Sequence, residues 1–119
     1  MEFEVILYRD ERGNSPIDEF LDDLKNRQPV LHRQTDAGIR RLADRRSHRL
    51  PLTKAIGDGL FELRVGRTDI VRVLWFFVTD AKIVVVEAFV KKTDKTPEQN
   101  RTRALRRKED YLRRQLRMP

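Results

Sequence analysis

The order of the hydrophobic patterns predicts an α+β fold, β-α-α-β-β-β-α: a twisted, mainly antiparallel sheet with a helical hairpin and a C-terminal helix. Three observations carry this reading. Helical and strand periodicities come in runs and do not alternate, which argues against a parallel sheet built from βαβ units. Two apolar runs, Ile70 to Val78 and Ile83 to Val90, read as central strands covered over most of their length. The 119 residues show no internal repeat and no flexible linker, so they suit one domain, 1–119.

The elements follow in order. From Met1 to Tyr8, Phe3, Val5 and Leu7 alternate with Glu2, Glu4 and Ile6, a half-buried strand. Gly13-Asn14-Ser15-Pro16 ends it. Ser15 is expected to cap a helix in a capping box with Asp18, with Pro16 in the first helical position. Ile17, Phe20, Leu21 and Leu24 make its apolar stripe. Asp18, Glu19, Asp22 and Asp23 lie early in that helix, where the helix dipole favours acids, so they read as helix stabilisers. Pro29 separates it from a second helix with Leu31, Gly38, Ile39 and Leu42 inside, while His32 belongs to the exposed set. Ser47 to Gly59 is rich in turn residues and reads as a loop. Three strands follow, Leu60 to Val65, Ile70 to Val78 and Ile83 to Val90, joined by hairpin-length turns. Thr96-Pro97-Glu98-Gln99 opens the last helix, in which Ala104, Leu105, Tyr111, Leu112 and Leu116 form the apolar side and eight Arg and Lys cover the rest.

Charge narrows the function. The 26 Lys+Arg outnumber the 19 Asp+Glu for a formal +7, unevenly placed. Residues 1–30 carry eight acids and four bases, a net of −4, and residues 31–119 a net of +11. A polyanion is the natural partner for such a surface, with a merely solvated surface as the alternative. No apolar block is long enough to span a membrane and no signal peptide is expected, so the chain reads as soluble and cytoplasmic. Cysteine is absent, which fits a reducing compartment. Two isolated histidines, His32 and His48, cannot build a metal site, and no cofactor motif is present.

The familiar catalytic constellations are missing too: no Ser/His/Asp elbow, no cysteine nucleophile, no phosphate-cradling glycine loop. What remains is a set of cations along the strands. Arg64 lies opposite Leu63 in face, Arg72 is one strand over, Lys54 precedes them, and Lys91 and Lys92 follow the third strand. A charge inside an apolar central strand is costly unless it meets water or a partner. Arg72 therefore faces either a carboxylate, such as Glu62 or Glu87, or an open cleft.

Three blocks carry a resemblance. Lys54-Ala55-Ile56-Gly57-Asp58-Gly59-Leu60-Phe61-Glu62-Leu63-Arg64-Val65 is followed by Val71-Arg72-Val73-Leu74-Trp75-Phe76-Phe77, then by Ala88-Phe89-Val90-Lys91-Lys92-Thr93 with Lys95-Thr96-Pro97. In this order the chain resembles the RelE/HigB superfamily of toxins, in its phage-derived HigB-like branch. The resemblance implies a microbial ribonuclease-like fold and cleavage of mRNA in the ribosomal A site without metal. By residue-for-residue match, Arg72, Lys92, Lys54 and Arg64 are the implied catalytic set. Lys91, Lys95, Arg40, Arg41, Arg45, Arg106, Arg107, Arg113 and Arg114 are expected to bind RNA and the ribosome.

The implied reaction is attack of the RNA's own 2′-OH on the adjacent phosphorus with loss of the 5′-oxygen, the cations neutralising charge that builds on the phosphate. A lysine crowded by others can trade a proton. Where better-known members have a tyrosine or histidine after the last strand, this chain has Lys92-Thr93-Asp94. Tyr111 is expected to pack in the core and His48 to be an exposed loop residue, so no general base is assigned. The implied partners are the ribosome with its mRNA and a cognate helix-turn-helix antitoxin (HigA-like), which alone brings the pair to operator DNA; no membrane is involved. Two other readings stay open: a ParE-like toxin that inhibits DNA gyrase by binding, and a basic nucleic-acid-binding module. For the second, Phe61 and Phe89 alternate toward the core and offer no stacking platform.

Overall fold

The computed structural model describes residues 2–91 and 95–117. Its elements are β1 (Glu4–Leu7), α1 (Pro16–Arg27), α2 (Pro29–Arg41), a short 3-10 turn (Arg45–Ser47), β2 (Thr53–Gly57), β3 (Leu60–Val65), β4 (Ile70–Val78), β5 (Lys82–Lys91) and α3 (Glu98–Arg117). The five strands form one open sheet in the order β1-β5-β4-β3-β2. β1 runs parallel to β5, and every other pairing is antiparallel. The α+β class and the mainly antiparallel sheet stand as expected, but the element order is β-α-α-β-β-β-β-α.

The extra strand is β2, inside the segment that reads as loop. It pairs with β3 at the sheet edge, Thr53 opposite Leu63 and Lys54 opposite Glu62. Its turn residues belong only to the hairpin: Gly57, Asp58 and Gly59 all take positive φ. An edge strand this short buries one residue, Thr53, so it leaves little apolar alternation to read. The expected capping box also differs. Ser15 is the N-cap of α1, but its hydroxyl makes no bond to the helix backbone. It donates instead to the Asp18 carboxylate at 2.8 Å. A charged acceptor makes the stronger hydrogen bond.

α1 and α2 cover one face of the sheet. Ile17, Leu21, Leu24, Leu31, Ile39 and Leu42 pack there on Leu63, Val71, Val73, Trp75, Ile83 and Val85. The hairpin lies close because Gly38 leaves room: a Cβ there would come within 2.9 Å of Val65 Cγ2. α3 covers the other face, where Tyr8, Leu60, Leu74, Phe76, Val84, Val86 and Ala104 form a second apolar cluster. No helix among the described residues is long and apolar enough to cross a membrane.

A register shift sets the chemistry of the second face. Leu74 pairs with Glu87 and Trp75 with Val85, so Val86 is an extra residue in β5. A bulge of this kind lets consecutive side chains share one face. Val86 joins the α3-side cluster, and Glu87, its neighbour, bonds to α3 side chains.

Candidate functional site

Residues directly opposite in a ladder point to the same face of a sheet. Lys54, Glu62, Leu74 and Glu87 form one such row across β2, β3, β4 and β5. The next row holds Arg64, Arg72 and Phe89, and the one beyond pairs Ile70 with Lys91. Neighbouring strands stand about 4.8 Å apart. The pairing therefore sets Lys54, Arg64 and Arg72 about Glu62, with Lys91 two rows along and two strands across on the same face, the one that α3 covers further along. Arg64 is exposed, Lys54 and Lys91 are half-buried, and Lys95 is exposed. Lys92, the fourth residue of the implied catalytic set, lies outside the described residues.

Arg72 settles between the two environments that its position allowed. It is 1% exposed, and its Nη1 lies 3.5 Å from Oε2 of Glu62, which is itself fully buried. The same Glu62 oxygen accepts a hydrogen bond from Thr96 Oγ1 at 2.7 Å. One buried carboxylate thus joins β3, β4 and the segment that enters α3. Sequence reading offered Glu62 only as one possible partner of Arg72 and expected Thr96 to open the last helix in a capping box; its hydroxyl serves Glu62 instead. The usable signal was Glu62 alternating with Arg64 on the polar side of β3.

The arrangement can do two things. Its exposed and half-buried cations can neutralise phosphates laid along the strand ends, and its buried pair can hold the floor beneath them rigid. Residues 19–109, from α1 to the middle of α3, match the family described as phage derived protein Gp49-like (DUF891). The chain belongs to the Gp49-like family. No curated protein matches it.

Elsewhere in this Gp49-like chain the structure redistributes the basic residues of α3. They were expected to cover its outer side, with Arg106, Arg107, Arg113 and Arg114 turned away from the sheet. Arg107 instead reaches back to Val86 O at 2.8 Å and to Glu87 at 3.1 Å. Arg103 bonds Glu87 at 2.9 Å, as does Asn100 at 3.1 Å. The cause is Glu87: a carboxylate only 5% exposed requires counter-charges, and long arginine stems can deliver them. Arg114 folds back too, onto Asp110 at 2.8 Å and onto the Arg9 carbonyl. Arg106 and Arg113 are exposed, the latter 3.2 Å from Asp110.

Asp110 also accepts a 2.5 Å hydrogen bond from the Tyr8 hydroxyl. That bond, followed by Arg114, holds the Asp110 carboxyl below the usual range. Burial, then the Asp110 bond and charge, push the Tyr8 phenol up.

The remaining basic candidates sit at another corner. Arg40 pairs with Asp36, Arg45 lies 3.6 Å from Glu2, and Arg41 is exposed. Arg40, Arg45, Arg46 and Arg49 line a cavity of about 750 Å³ together with Glu2 and Asp44. The Arg46 guanidinium and backbone N–H hold the Asp44 carboxyl down at about 2. His48, next to this corner, is not the exposed loop residue expected. It is half-buried, its Nε2 2.7 Å from Leu42 O, with its ring against Phe3, Trp75 and Phe77. Aromatic surface at the end of the sheet draws it in. His32 is likewise half-buried on α2. Tyr111 packs edge-on against Phe76, as its place on the apolar side of α3 implies.

Proposed function

We propose that this Gp49-like chain is the toxin of a type II toxin–antitoxin system, a RelE/HigB-type, metal-independent and ribosome-dependent endoribonuclease that cuts mRNA. The observation that carries this reading is the set of adjacent rows joining Lys54, Arg64, Arg72 and Lys91 on one sheet face. Phosphoryl chemistry by a neighbouring 2′-OH needs charge placed where the phosphate becomes more negative, and little else from the protein except proton traffic. Arg64, which is exposed, and Lys54 and Lys91, which are half-buried, are the cations that would meet such a phosphate; Lys92 completes the set by resemblance. Arg72 reaches one only by exchanging the Glu62 carboxylate for it, one oxyanion for another. Lys95, Arg40, Arg41, Arg45, Arg106 and Arg113 serve the ribosome's RNA. In this reading the protein acts in the cytoplasm and is neutralised by a helix-turn-helix antitoxin.

Expression in bacteria tests it. Protein synthesis falls at once, and Arg64→Ala, at an exposed position, and Lys54→Ala, at a half-buried one, abolish mRNA cleavage while the thermal midpoint holds. Binding to ribosomes weakens with salt at a log–log slope near −0.7 for each single-strand phosphate contact, and Arg106→Gln with Arg113→Gln flattens it. A second reading has one observation in its favour. Arg72 is buried and compensated by Glu62, as suits a toxin of the ParE type that acts by binding DNA gyrase. Replication failing first, with translation intact, selects that reading.

A further inference from the structure

At one end of the sheet the hairpin side carries a group of aromatic rings. Centre to centre, Phe77 lies 4.9 Å from Trp75, 5.2 Å from Phe61, 5.3 Å from His48 and 5.6 Å from Phe3. One cluster thus joins β1, β3, β4 and the turn before β2. Trp75 is fully buried, Phe3, Phe61 and His48 are half-buried, and Phe77 is 41% exposed. Phe61 does alternate toward the core side, but at this end that side is left partly open. The cluster is a π surface that alternation along one strand does not reveal.

Arginines adjoin it. The Arg45 guanidinium lies 5.8 Å from the centre of the Phe3 ring, and Arg45 lines the same cavity as Arg40, Arg46 and Arg49. That cavity's two acids, Glu2 and Asp44, are paired with Arg45 and Arg46. These are surface pairs of the weak, exchangeable kind, their arginines 73% and 82% exposed. Arg49 is exposed and pairs with no carboxylate among the described residues. Asp80 and Lys82, which share a cavity with Phe77, offset each other in charge. Guanidinium groups suit phosphates, and rings suit the flat face of an unpaired base. A duplex would meet the arginines but keeps its bases stacked inside. A second copy of this chain would bring like charge to like charge.

We propose that this corner, Arg45 and Arg49 beside Phe3 and Phe77, binds single-stranded RNA, with the arginines on its phosphates and a base against the rings. The inference deepens the reading of Arg40 and Arg45 as contacts to the ribosome's RNA, and it rests on that reading for the choice of RNA. It adds a site apart from the cationic rows. Arg72 and Phe77 stand five residues apart on β4, about 17 Å along the strand and on opposite faces. Mutation can therefore separate this contact from the proposed cleavage set.

The test uses the whole chain and a fluorescent 2′-O-methyl uridine strand of about ten nucleotides, which has no free 2′-OH and so is not cut by the proposed reaction. An abasic strand of the same length is the control. Anisotropy titration shows the uridine strand binding with a Kd below about 1 mM, at least about fivefold tighter than the abasic strand. Phe77→Leu, which keeps apolar packing and removes the ring, weakens uridine binding about fivefold with circular dichroism unchanged. Arg49→Gln, at an exposed position, lowers the log–log salt slope by about 0.7. Trp75 is the one tryptophan, and its indole N–H signal in the NMR spectrum shifts with the same midpoint. The proposal is overturned by a Kd above about 1 mM, by equal affinity for the abasic strand, by unchanged affinity in Phe77→Leu, or by an unchanged salt slope in Arg49→Gln. A bound strand that leaves the Trp75 signal in place also overturns it and puts the strand on the cationic rows. Each of these results leaves the cleavage reading to its own test, the fall in protein synthesis and the loss of cleavage in Arg64→Ala.

Discussion

On its hairpin side the sheet meets α1 and α2 through aliphatic side chains and Trp75, with no charged residue in the cluster. On its other side it meets α3 through an apolar patch and three buried charges, Glu62, Arg72 and Glu87. The two faces belong to the same strands and differ in how they hold their helices. Apolar burial is non-directional and tolerates small shifts. A buried ion pair stabilises only when its geometry is good, and otherwise costs more than it returns. The α3 face therefore gives up stability to keep charges in fixed positions beneath a cationic surface.

The largest effect expected is on the charged face. Glu62→Ala strands Arg72 in the interior and costs about 3–5 kcal/mol in urea unfolding. Replacing both partners at once, Glu62→Leu with Arg72→Met, restores stability to near that of the wild type or above. If the double replacement is as damaging as the single one, the two faces are held by the same kind of packing and the contrast fails.

The matching change on the hairpin face is Leu42→Ala, at a fully buried position. It costs about 2–5 kcal/mol, and no second substitution at a neighbour is expected to recover it, because the loss is volume and not charge. A cost at the low end of that range would mean that α2 settles into the space.

Tyr8→Phe is smaller. It removes one hydrogen bond to a carboxylate and costs about 1.5–3 kcal/mol. It also changes the acid limb. Asp110 has a lowered folded-state pKa, so its contribution is fully present above the ordinary aspartate value near 3.9 and is lost as pH falls through the lowered one. Without the Tyr8 bond less is lost, and the stability–pH curve below about pH 4 becomes shallower. Tyr8 has a raised pKa, so the wild type also loses stability as pH climbs past about 10, a limb the variant lacks.

The smallest effect is local. The Asp44 carboxyl titrates at about 2, and Arg46→Gln returns it toward the ordinary aspartate value, read by NMR. Asp44 is half-buried but its partner Arg46 is exposed, so solvent screens the pair and the effect on stability is small.

Much of this was legible in the chain. The stripe Ile17, Leu21 and Leu24, the apolar runs of β4 and β5, and the α+β class follow from periodicities that a single element carries. β2 was not legible, because an edge strand of five residues beside Gly57 and Gly59 shows turn chemistry more strongly than alternation. Nor was the inward return of Arg103 and Arg107. On a helix wheel they look solvated, and only the bulge at Val86, which turns Glu87 toward α3, draws them to the sheet.

The candidate site divides along the same line. That Lys54, Arg64, Arg72 and Lys91 are cations on or beside strands is a property of the residues and their alternation. That they share one face, and that Arg72 is buried in a pair with Glu62 while Arg64 is exposed, depends on strand register. Alternation along a strand is local, set by backbone geometry with period two. Register joins residues far apart in the chain. It is set by the global fit of both packed faces, which no stretch of sequence contains.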